Sequence, residues 1–413
     1  MESAPVLIKP EVEMSIFDDG NTVKSYLISL NGRNWRVSRK VYLILEALMS
    51  PKKNEEEVAA GILAENRITV SPSEVQQVKD FARKNGLAVG TETESKRPKS
   101  NAYLWGRITF FPQSLVSRIH CFVWLFRPGL MLPLLSVCMA WLIYMLLTNS
   151  AQTVSDQFHS MSITDVIGAY LVIFAIGLIH EMGHASALMR CGQKPGRIGA
   201  GVYFIMPVFF SDVTCAWKLK RFERVSVDIG GIYLQLVAML ILYVINGLTF
   251  HSVVVEVAIL LSSLEILGNL NPFIRLDGYW ILADLLGVPN TKRAMLQLIT
   301  WPFQKPQMRS SEISTMSCNK KIILIIYLIL CIVFCVYFGR MLIITSVLSF
   351  QTLSEDLSYL ASSGPIWSQL TIMDIYGFIS SRFSSYIVVV FVVRSIIAPL
   401  WKLVRQPNSR KGE

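Results

Sequence analysis

Long apolar segments alternate with short polar loops over most of the chain, while the first ninety residues follow a different pattern. A helix that crosses a bilayer needs about 20 consecutive apolar residues, and six runs come close to or exceed that length. The pattern predicts a polytopic α-helical membrane protein with about six transmembrane helices, preceded by a small α+β domain. The six runs are residues 129–147, 164–189, 225–248, 253–274, 321–348 and 386–403.

Within the N-terminal domain, strand-like segments precede three helical patterns. Residues 26–30 and 34–37 flank Asn31-Gly32, a pair preferred in two-residue hairpin turns. We therefore predict a winged-helix-like cytoplasmic domain at 22–90, after a flexible, irregular N-terminus at 1–21. The three helical patterns lie near residues 39–49, 55–65 and 74–85.

Composition and charge narrow the class of protein. Of the 413 residues 52% are hydrophobic and 16% are charged, which is far from soluble globular composition. The first ninety residues contain 12 basic and 12 acidic side chains, so the net charge of +10 belongs to the rest of the chain. A nucleic-acid partner would need a basic soluble domain, so we expect none. Seven cysteines without a C-x-x-C pair argue against a disulfide framework.

The positive charges indicate the orientation in the membrane. Lysine and arginine are concentrated in residues 190–224, 275–321 and the tail after 400, whereas 148–163 has none. Because basic loops remain on the cytoplasmic side, we predict a multi-pass membrane protein with both termini in the cytoplasm. The start of the chain lacks the pattern of a secretory signal, which agrees with this orientation.

The second apolar run contains the H-E-x-x-H sequence His180-Glu181-Met182-Gly183-His184. Two histidines four residues apart lie on one face of a helix, so both rings can reach one Zn²⁺ while the glutamate addresses a water on it. A five-residue match also occurs by chance in soluble proteins. Here the flanks are strongly apolar, and ionisable groups at membrane depth are costly enough to indicate function.

Two histidines leave a tetrahedral zinc without enough protein ligands, and the end of the fourth run offers another candidate. There Asn269 is followed by Pro272, which should break the helix, and then by Asp277. Irregular backbone at membrane depth is tolerated where it is buried in protein or lines a wet cavity. An Asp-Gly turn at a helix end is the alternative reading of Asp277 taken alone.

Both stretches together resemble the site-2 protease family of intramembrane zinc metallopeptidases, whose signatures are H-E-x-x-H and N-x-x-P-x-x-x-L-D-G. The resemblance implies that His180, His184 and Asp277 bind one zinc ion per chain, that Glu181 is the general base, and that Asn269 helps to hold the substrate or its oxyanion. It implies a catalytic membrane core at 129–290 and, because these stretches look like the bacterial subgroup found with peptide-maturation and export systems, a place in the bacterial inner membrane. The polar residues 91–99 and the aromatic stretch after them predict a linker and interfacial segment at 91–128. The last two apolar runs predict a C-terminal membrane region with two transmembrane helices at 291–413.

Two further polar positions are candidates for substrate contact. Arg275 stands where many members of the family have an apolar residue or proline, which would place a charge near the substrate entrance. Asp212 could be a substrate-contact acid, although an exposed turn residue is the alternative. The surrounding residues 201–212 could supply a strand edge for an extended substrate, or could form an ordinary loop. Gly230-Gly231 in the third run predicts a close approach between helices.

The order of elements at 22–90, with Val41-Tyr-Leu-Ile-Leu45, resembles PqqD-like domains, which recognise leader peptides of ribosomally made, modified peptides. We therefore expect an endopeptidase that cleaves a peptide precursor or membrane-held peptide, working beside a peptide-modifying enzyme or exporter and in contact with the lipid bilayer. Two alternatives remain: regulated proteolysis of a membrane-bound transcription inhibitor, and a non-proteolytic component of a peptide export or immunity system.

Overall fold

The structure, a computed structural model, describes the chain from residue 7 to residue 288 with gaps, and parts of 291–344. The gaps are residues 19–24, 51–53, 92–103, 119–120, 149–160, 204–205, 272–274 and the end of the chain after 344. It contains two compact units, residues 1–203 with 207–294 and residues 204–206 with 295–413. The described part of the second unit includes a helical stretch at 318–334, within the fifth predicted run, whereas the sixth predicted run lies outside the described residues.

The N-terminal part of the first unit consists of a three-stranded antiparallel sheet and three helices. Its hairpin turn has positive φ at both Asn31 (49°) and Gly32 (76°), which confirms the predicted turn. The strands are β1 (Glu13–Phe17), β2 (Ser25–Leu30) and β3 (Arg33–Val37), in the order β1-β2-β3. The helices are α1 (Arg39–Ala47), α2 (Glu55–Asn66) and α3 (Pro72–Lys84).

Strand β1 lies in the N-terminal stretch that the sequence predicts to be irregular, and the prediction of irregular structure is wrong for these residues. Glu13 pairs with Ser29 and Phe17 with Ser25, so β1 covers one edge of β2 from Ser25 to Ser29. The strand buries its last side chain, Phe17, which is 2% exposed. The strand that pairs with β1 and the residues that surround Phe17 both come from later in the chain. The five residues of β1 alone therefore give no signal for a buried strand.

The sheet and helices of this domain enclose one apolar core. Ile28 of β2, Ile44 and Leu45 of α1, and Val75 of α3 are each 1% exposed or less. Burial of such side chains contributes roughly 1.5–3 kcal/mol each relative to an exposed position. An ion pair fastens α3 to α2 as well: Lys79 Nζ lies 2.5 Å from Glu55 Oε1.

Three helices in the described residues are long and apolar enough to cross a membrane, which identifies a membrane protein. Their outer side chains are apolar, as lipid contact requires: Leu132, Leu147 and Leu171 are 63%, 81% and 65% exposed. A fourth apolar helix, α8 (Val253–Asn269), has 17 residues and ends before the predicted boundary at 274. These helices are α5 (Pro128–Thr148), α6 (Ile163–Arg190), α7 (Arg221–Ile245, continued by a π-helical turn to Phe250) and α8 (Val253–Asn269).

A second three-stranded sheet combines two distant parts of the chain. It consists of β4 (Leu104–Phe111), β5 (Ile198–Tyr203) and β6 (Met206–Ser211), in the order β4-β5-β6, and the short helix α4 (Gln113–Val116) follows β4. Residues 201–212, which were predicted to offer a strand edge or a loop, thus contain the end of β5 and the strand β6. Strand β4 lies in the segment 91–128, which was predicted to be a linker and interfacial segment. A Cβ on Gly199 would lie 2.1 Å from Ile108 O, so the close pairing of β5 with β4 requires glycine there.

Aromatic side chains fasten this sheet to α6 just before the H-E-x-x-H motif. The ring of Phe209 on β6 lies 5.1 Å from that of Phe174 on α6, and the ring of Phe110 on β4 lies 5.8 Å from Phe174. A Cβ on Gly177 would lie 2.6 Å from the Phe209 ring. The sheet thus contacts α6 one turn before His180.

Candidate metal centre

Helices α6 and α7 are in backbone contact at the motif, which confirms the close approach predicted from Gly230-Gly231. A Cβ on Gly183 would lie 2.2 Å from Gly230 O, and a Cβ on Gly230 would lie 2.9 Å from the Cβ of Ala187. Small residues allow two helices to approach this closely. The contact brings α7 against the face of α6 that carries the two histidines.

The structure brings the three predicted ligands together. His180 and His184 lie on one face of α6, and Asp277 is the first residue of α9 (Asp277–Leu286). The Nε2 atoms of the two histidines are 3.1 Å apart, and Asp277 lies with Oδ2 2.9 Å from His180 Nε2 and Oδ1 3.5 Å from His184 Nε2. Both histidines are buried, at 6% and 7% exposure.

Hydrogen bonds on the far side of each ring determine which nitrogen faces Asp277. His184 Nδ1 lies 2.8 Å from Val227 O, and because a carbonyl oxygen only accepts, Nδ1 donates. His180 Nδ1 lies 2.7 Å from Gln235 Oε1, so it donates as well. Each neutral ring therefore presents an unprotonated Nε2 lone pair, the form that binds a metal.

This arrangement fits a zinc ion. Two lone pairs at 3.1 Å repel each other, and the buried Oδ2 of Asp277 has no hydrogen-bond donor within the described residues. A shared cation satisfies all three atoms at once. Ligand atoms around a tetrahedral zinc with bonds of about 2.0–2.1 Å lie roughly 3.3 Å apart, which agrees with these separations. In the described part of the chain, this is the one group of three His, Cys, Asp or Glu side chains close enough to hold a metal.

Gly231 of α7 leaves the space in front of the histidines open. A Cβ at this position would lie 2.4 Å from His184 Nε2 and 2.6 Å from His180 Nε2. Any side chain there would collide with the ligand atoms themselves. Glycine at 231 is therefore a requirement of the site and not only of helix packing.

The predicted general base, Glu181, is buried beside the ligands at 7% exposure. Its carboxylate interacts electrostatically with both His180 and His184. Burial in an apolar helix excludes bulk water from this carboxylate, and such an environment suits a proton acceptor. Its role in catalysis stays a prediction.

The other three predicted site residues lie at or next to the ends of α8, α9 and β6. Asn269 is the last residue of α8, and Arg275, two residues before Asp277, places its guanidinium 5.9 Å from the centre of the Tyr279 ring. Asp212 directly follows β6, and its Oδ1 accepts a hydrogen bond from Thr214 Oγ1 at 2.6 Å. Asp212 thus stabilises the turn that follows β6, where it is half-buried and not exposed. Substrate contacts for all three stay predictions, and Pro272 lies outside the described residues.

Three polar side chains near the ligands were missed by the sequence analysis. Gln235 holds His180, while Asp228 and Glu265 interact electrostatically with the site: Asp228 with His184 and Asp277, and Glu265 with His180 and Asp277. Their signal was present in the sequence, because each is a polar residue inside a predicted apolar run.

Comparison with known proteins gives one informative similarity. A protein of Bacillus subtilis (strain 168) named "Putative peptide zinc metalloprotease protein YydH" is 27% identical to this chain over 151 residues. The similar segment is 36% of this chain and 59% of that protein, so the chain spans less than two thirds of this relative. No protein-family profile and no solved structure matches the chain. The name of that relative describes a zinc metalloprotease.

Proposed function

We propose that this protein is an intramembrane zinc endopeptidase of the site-2 protease type that cleaves a peptide precursor near the cytoplasmic face of the membrane. The observation that carries the proposal is the convergence of His180 Nε2, His184 Nε2 and the Asp277 carboxylate, buried among apolar helices, with Glu181 beside them. The similarity to a protein named as a peptide zinc metalloprotease supports the same reaction class.

The residues divide the work of peptide hydrolysis. His180, His184 and Asp277 would hold one zinc ion, which supplies a Lewis acid for the scissile carbonyl and lowers the pKa of an attacking water. The carboxylate of Glu181 accepts a proton from that water and donates it to the leaving amide nitrogen. Gln235 and Val227 keep the two imidazoles in the tautomer that this arrangement needs.

The decisive experiment compares Glu181→Gln with the wild type. An amide preserves the shape of the side chain but cannot accept the proton, so zinc content should stay at one per chain while cleavage is lost. Peptides that accumulate uncleaved in cells producing Glu181→Gln, identified by mass spectrometry, would give the substrate. Undiminished cleavage by Glu181→Gln would exclude Glu181 as the base, and stoichiometric zinc in a His180→Ala, His184→Ala double variant would exclude the metal site.

We further propose that the substrate is bound in extended form along β6. This strand has one neighbour, β5, in the described sheet, so its other edge can pair with a peptide. A helical substrate has no unpaired backbone to offer, and an extended segment does. Phe209 fixes β6 against α6 next to the ligands, which supports binding at this place.

We propose that the N-terminal domain recognises the leader of that precursor, as its PqqD-like order of strands and helices suggests. Excess free leader peptide should then inhibit cleavage of the full precursor but not cleavage of a leaderless peptide. Equal inhibition of both, or none of either, would contradict this role. If the peptide that accumulates uncleaved with Glu181→Gln is a short precursor with a leader, this result would favour peptide maturation over cleavage of a transcription inhibitor.

The proposed orientation places both termini in the cytoplasm of a bacterium and the protein in its inner membrane. The basic residues of the segments after α6 and α8 support this orientation through the positive-inside rule. Alkaline phosphatase, which is active only outside the cytoplasm, should be inactive when fused after residue 413 and active when inserted between Thr148 and Ile163. The reverse result would refute the orientation.

A further inference from the structure

The side chain of Arg224, at the start of α7, is 4% exposed and contacts three separate parts of the chain. Its Nε donates to Asp284 Oδ1 at 2.7 Å, and its Nη1 donates to Leu219 O at 2.9 Å. Its Nη2 donates to Asp18 O at 2.9 Å, and the guanidinium lies 4.6 Å from the centre of the Phe17 ring. One buried arginine therefore joins the N-terminal domain, α7 and α9.

The N-terminal domain reaches Arg224 through the end of β1. Phe17 stacks on Trp217 with ring centres 5.7 Å apart and an interplanar angle of 27°. The guanidinium of Arg36, on β3, lies 5.5 Å from the centre of the same ring. At the other end of β1, Glu13 forms an ion pair with Lys218. This set of contacts fixes the domain against the beginning of α7.

On the membrane side, Arg224 holds the helix that carries a proposed metal ligand. Asp284 lies seven residues after Asp277, which places both on one face of α9, two turns apart. Arg221 holds the end of the same helix, because its Nε donates to Asp284 O at 2.9 Å and its Nη2 donates to Leu285 O. Two cationic side chains at a helix C-terminus also complement the helix dipole.

Helix α9 is ten residues long, so its two ends move together. A displacement of Asp284 at one end changes the place of the Asp277 carboxylate at the other. Arg224 also lies one turn before Val227, whose carbonyl oxygen accepts the hydrogen bond from His184. Arg224 thus contacts the helix that carries Asp277, and it lies one turn from the carbonyl group that orients His184.

A guanidinium is the side chain that can make these contacts at once, since it has five N–H donors in a fixed plane and a face that stacks on aromatic rings. A lysine can donate to Asp284 but cannot also reach the other carbonyls in the same geometry. Loss of Asp284 would leave the buried guanidinium without its counter-charge, which strongly destabilises the local arrangement.

We propose that Arg224 and Asp284 are positioning residues for the metal site, and that docking of the N-terminal domain through Phe17 and Asp18 is required to place Asp277 correctly. The inference rests on the proposed function of the site. It assigns to the N-terminal domain a part in building the metal centre, in addition to any part in recognising a peptide.

The test measures zinc affinity of the full-length protein by chelator competition, together with kcat and KM for whichever precursor the wild type cleaves. Asp284→Asn keeps an oxygen for Arg224 but removes the charge, and it should weaken zinc binding by about 10- to 100-fold, the usual effect of losing a group that supports a ligand. Phe17→Ala, far from the metal in sequence, should weaken zinc binding and lower kcat, and Phe17→Tyr should restore both.

Two controls separate this effect from general destabilisation. Ile62→Val destabilises the core of the N-terminal domain without touching Arg224, and Lys40→Ala removes the exposed ion pair to Glu74 within the same domain; both should keep wild-type zinc affinity and kcat. Zinc affinity and kcat unchanged in both Asp284→Asn and Phe17→Ala would overturn the proposal. Failure of the wild type to bind zinc or cleave any peptide would instead overturn the proposed function.

Discussion

The Gly231→Ala variant tests the geometry of the proposed metal centre most directly. The added methyl carbon would lie 2.4 Å from His184 Nε2 and 2.6 Å from His180 Nε2. Both nitrogens are the atoms that should bind the metal, so the methyl group and the bound ligands compete for one space. The backbone itself accepts alanine, because Gly231 lies within helix α7 and has no positive φ.

The size of the effect follows from these distances. Ordinary contacts of a Cβ atom begin at 3.4 Å, so both imidazoles must move by close to an ångström. Overpacking of this kind costs about 1–3 kcal/mol. If the rings move away from the metal, that energy weakens zinc binding by about 5- to 150-fold, at 1.4 kcal/mol per tenfold. Alanine favours a helix over glycine by roughly 1 kcal/mol, so the metal-free protein should unfold at a similar or higher temperature.

The assay is chelator competition for zinc with the purified full-length protein, alongside thermal unfolding of the metal-free form. Gly268→Ala is the matched control, because a Cβ at that position on α8 would meet nothing within 4 Å. It should bind zinc as the wild type does. Zinc affinity of Gly231→Ala within twofold of the wild type would refute the placement of the ligand nitrogens, and with it the interpretation of this cluster as the metal site.

Two further predictions concern a support of the metal site and the N-terminal domain. Gln235→Leu removes the acceptor that fixes His180 Nδ1–H, so zinc affinity should fall by about 10- to 100-fold in the same competition assay; an unchanged affinity would contradict that role. The hydrogen bond from Lys79 lowers the pKa of Glu55, so this pair stabilises the domain above pH ~4.3 and its contribution is lost as pH falls through the lowered pKa. In denaturant titrations at pH 7, the free energy of unfolding of Glu55→Gln should be lower than that of the wild type by about 1–3 kcal/mol. Below pH 5 this free energy should depend less on pH in Glu55→Gln than in the wild type, whereas Glu56→Gln should match the wild type.

Local patterns were sufficient for elements whose causes lie close together in the sequence. The hairpin at Asn31-Gly32 forms because both residues adopt positive φ, and the H-E-x-x-H spacing places His180 and His184 on one face of a helix. The helices of the first three apolar runs begin and end within a few residues of their predicted boundaries. In each case the information is contained within one element.

Strands that depend on distant partners were not predictable in this way. Strand β4 pairs with β5, which follows it by more than eighty residues, and nothing in Leu104–Phe111 identifies that partner. Strand β1 pairs with β2 nearby, yet the burial of its Phe17 depends on Trp217 and Arg224. A side chain such as Phe17 is buried only when the distant residues pack against it, so its contribution depends on tertiary structure and not on the local sequence.

The same limit applies within the metal site. The three ligands are His and Asp residues, whose metal-binding chemistry can be recognised in a sequence. Several of the groups that hold these ligands in place cannot be recognised from residue type. A backbone carbonyl, Val227 O, orients His184, and no residue type marks that function. Gly231 and Gly278 act through missing atoms: a Cβ on Gly278 would lie 2.2 Å from Leu270 O, so its absence allows the start of α9 to fold back against the end of α8. This close contact between the start of α9 and the end of α8 brings Asp277 to the histidines. It depends on the backbone at Gly278, and the residue type of Asp277 alone does not predict it.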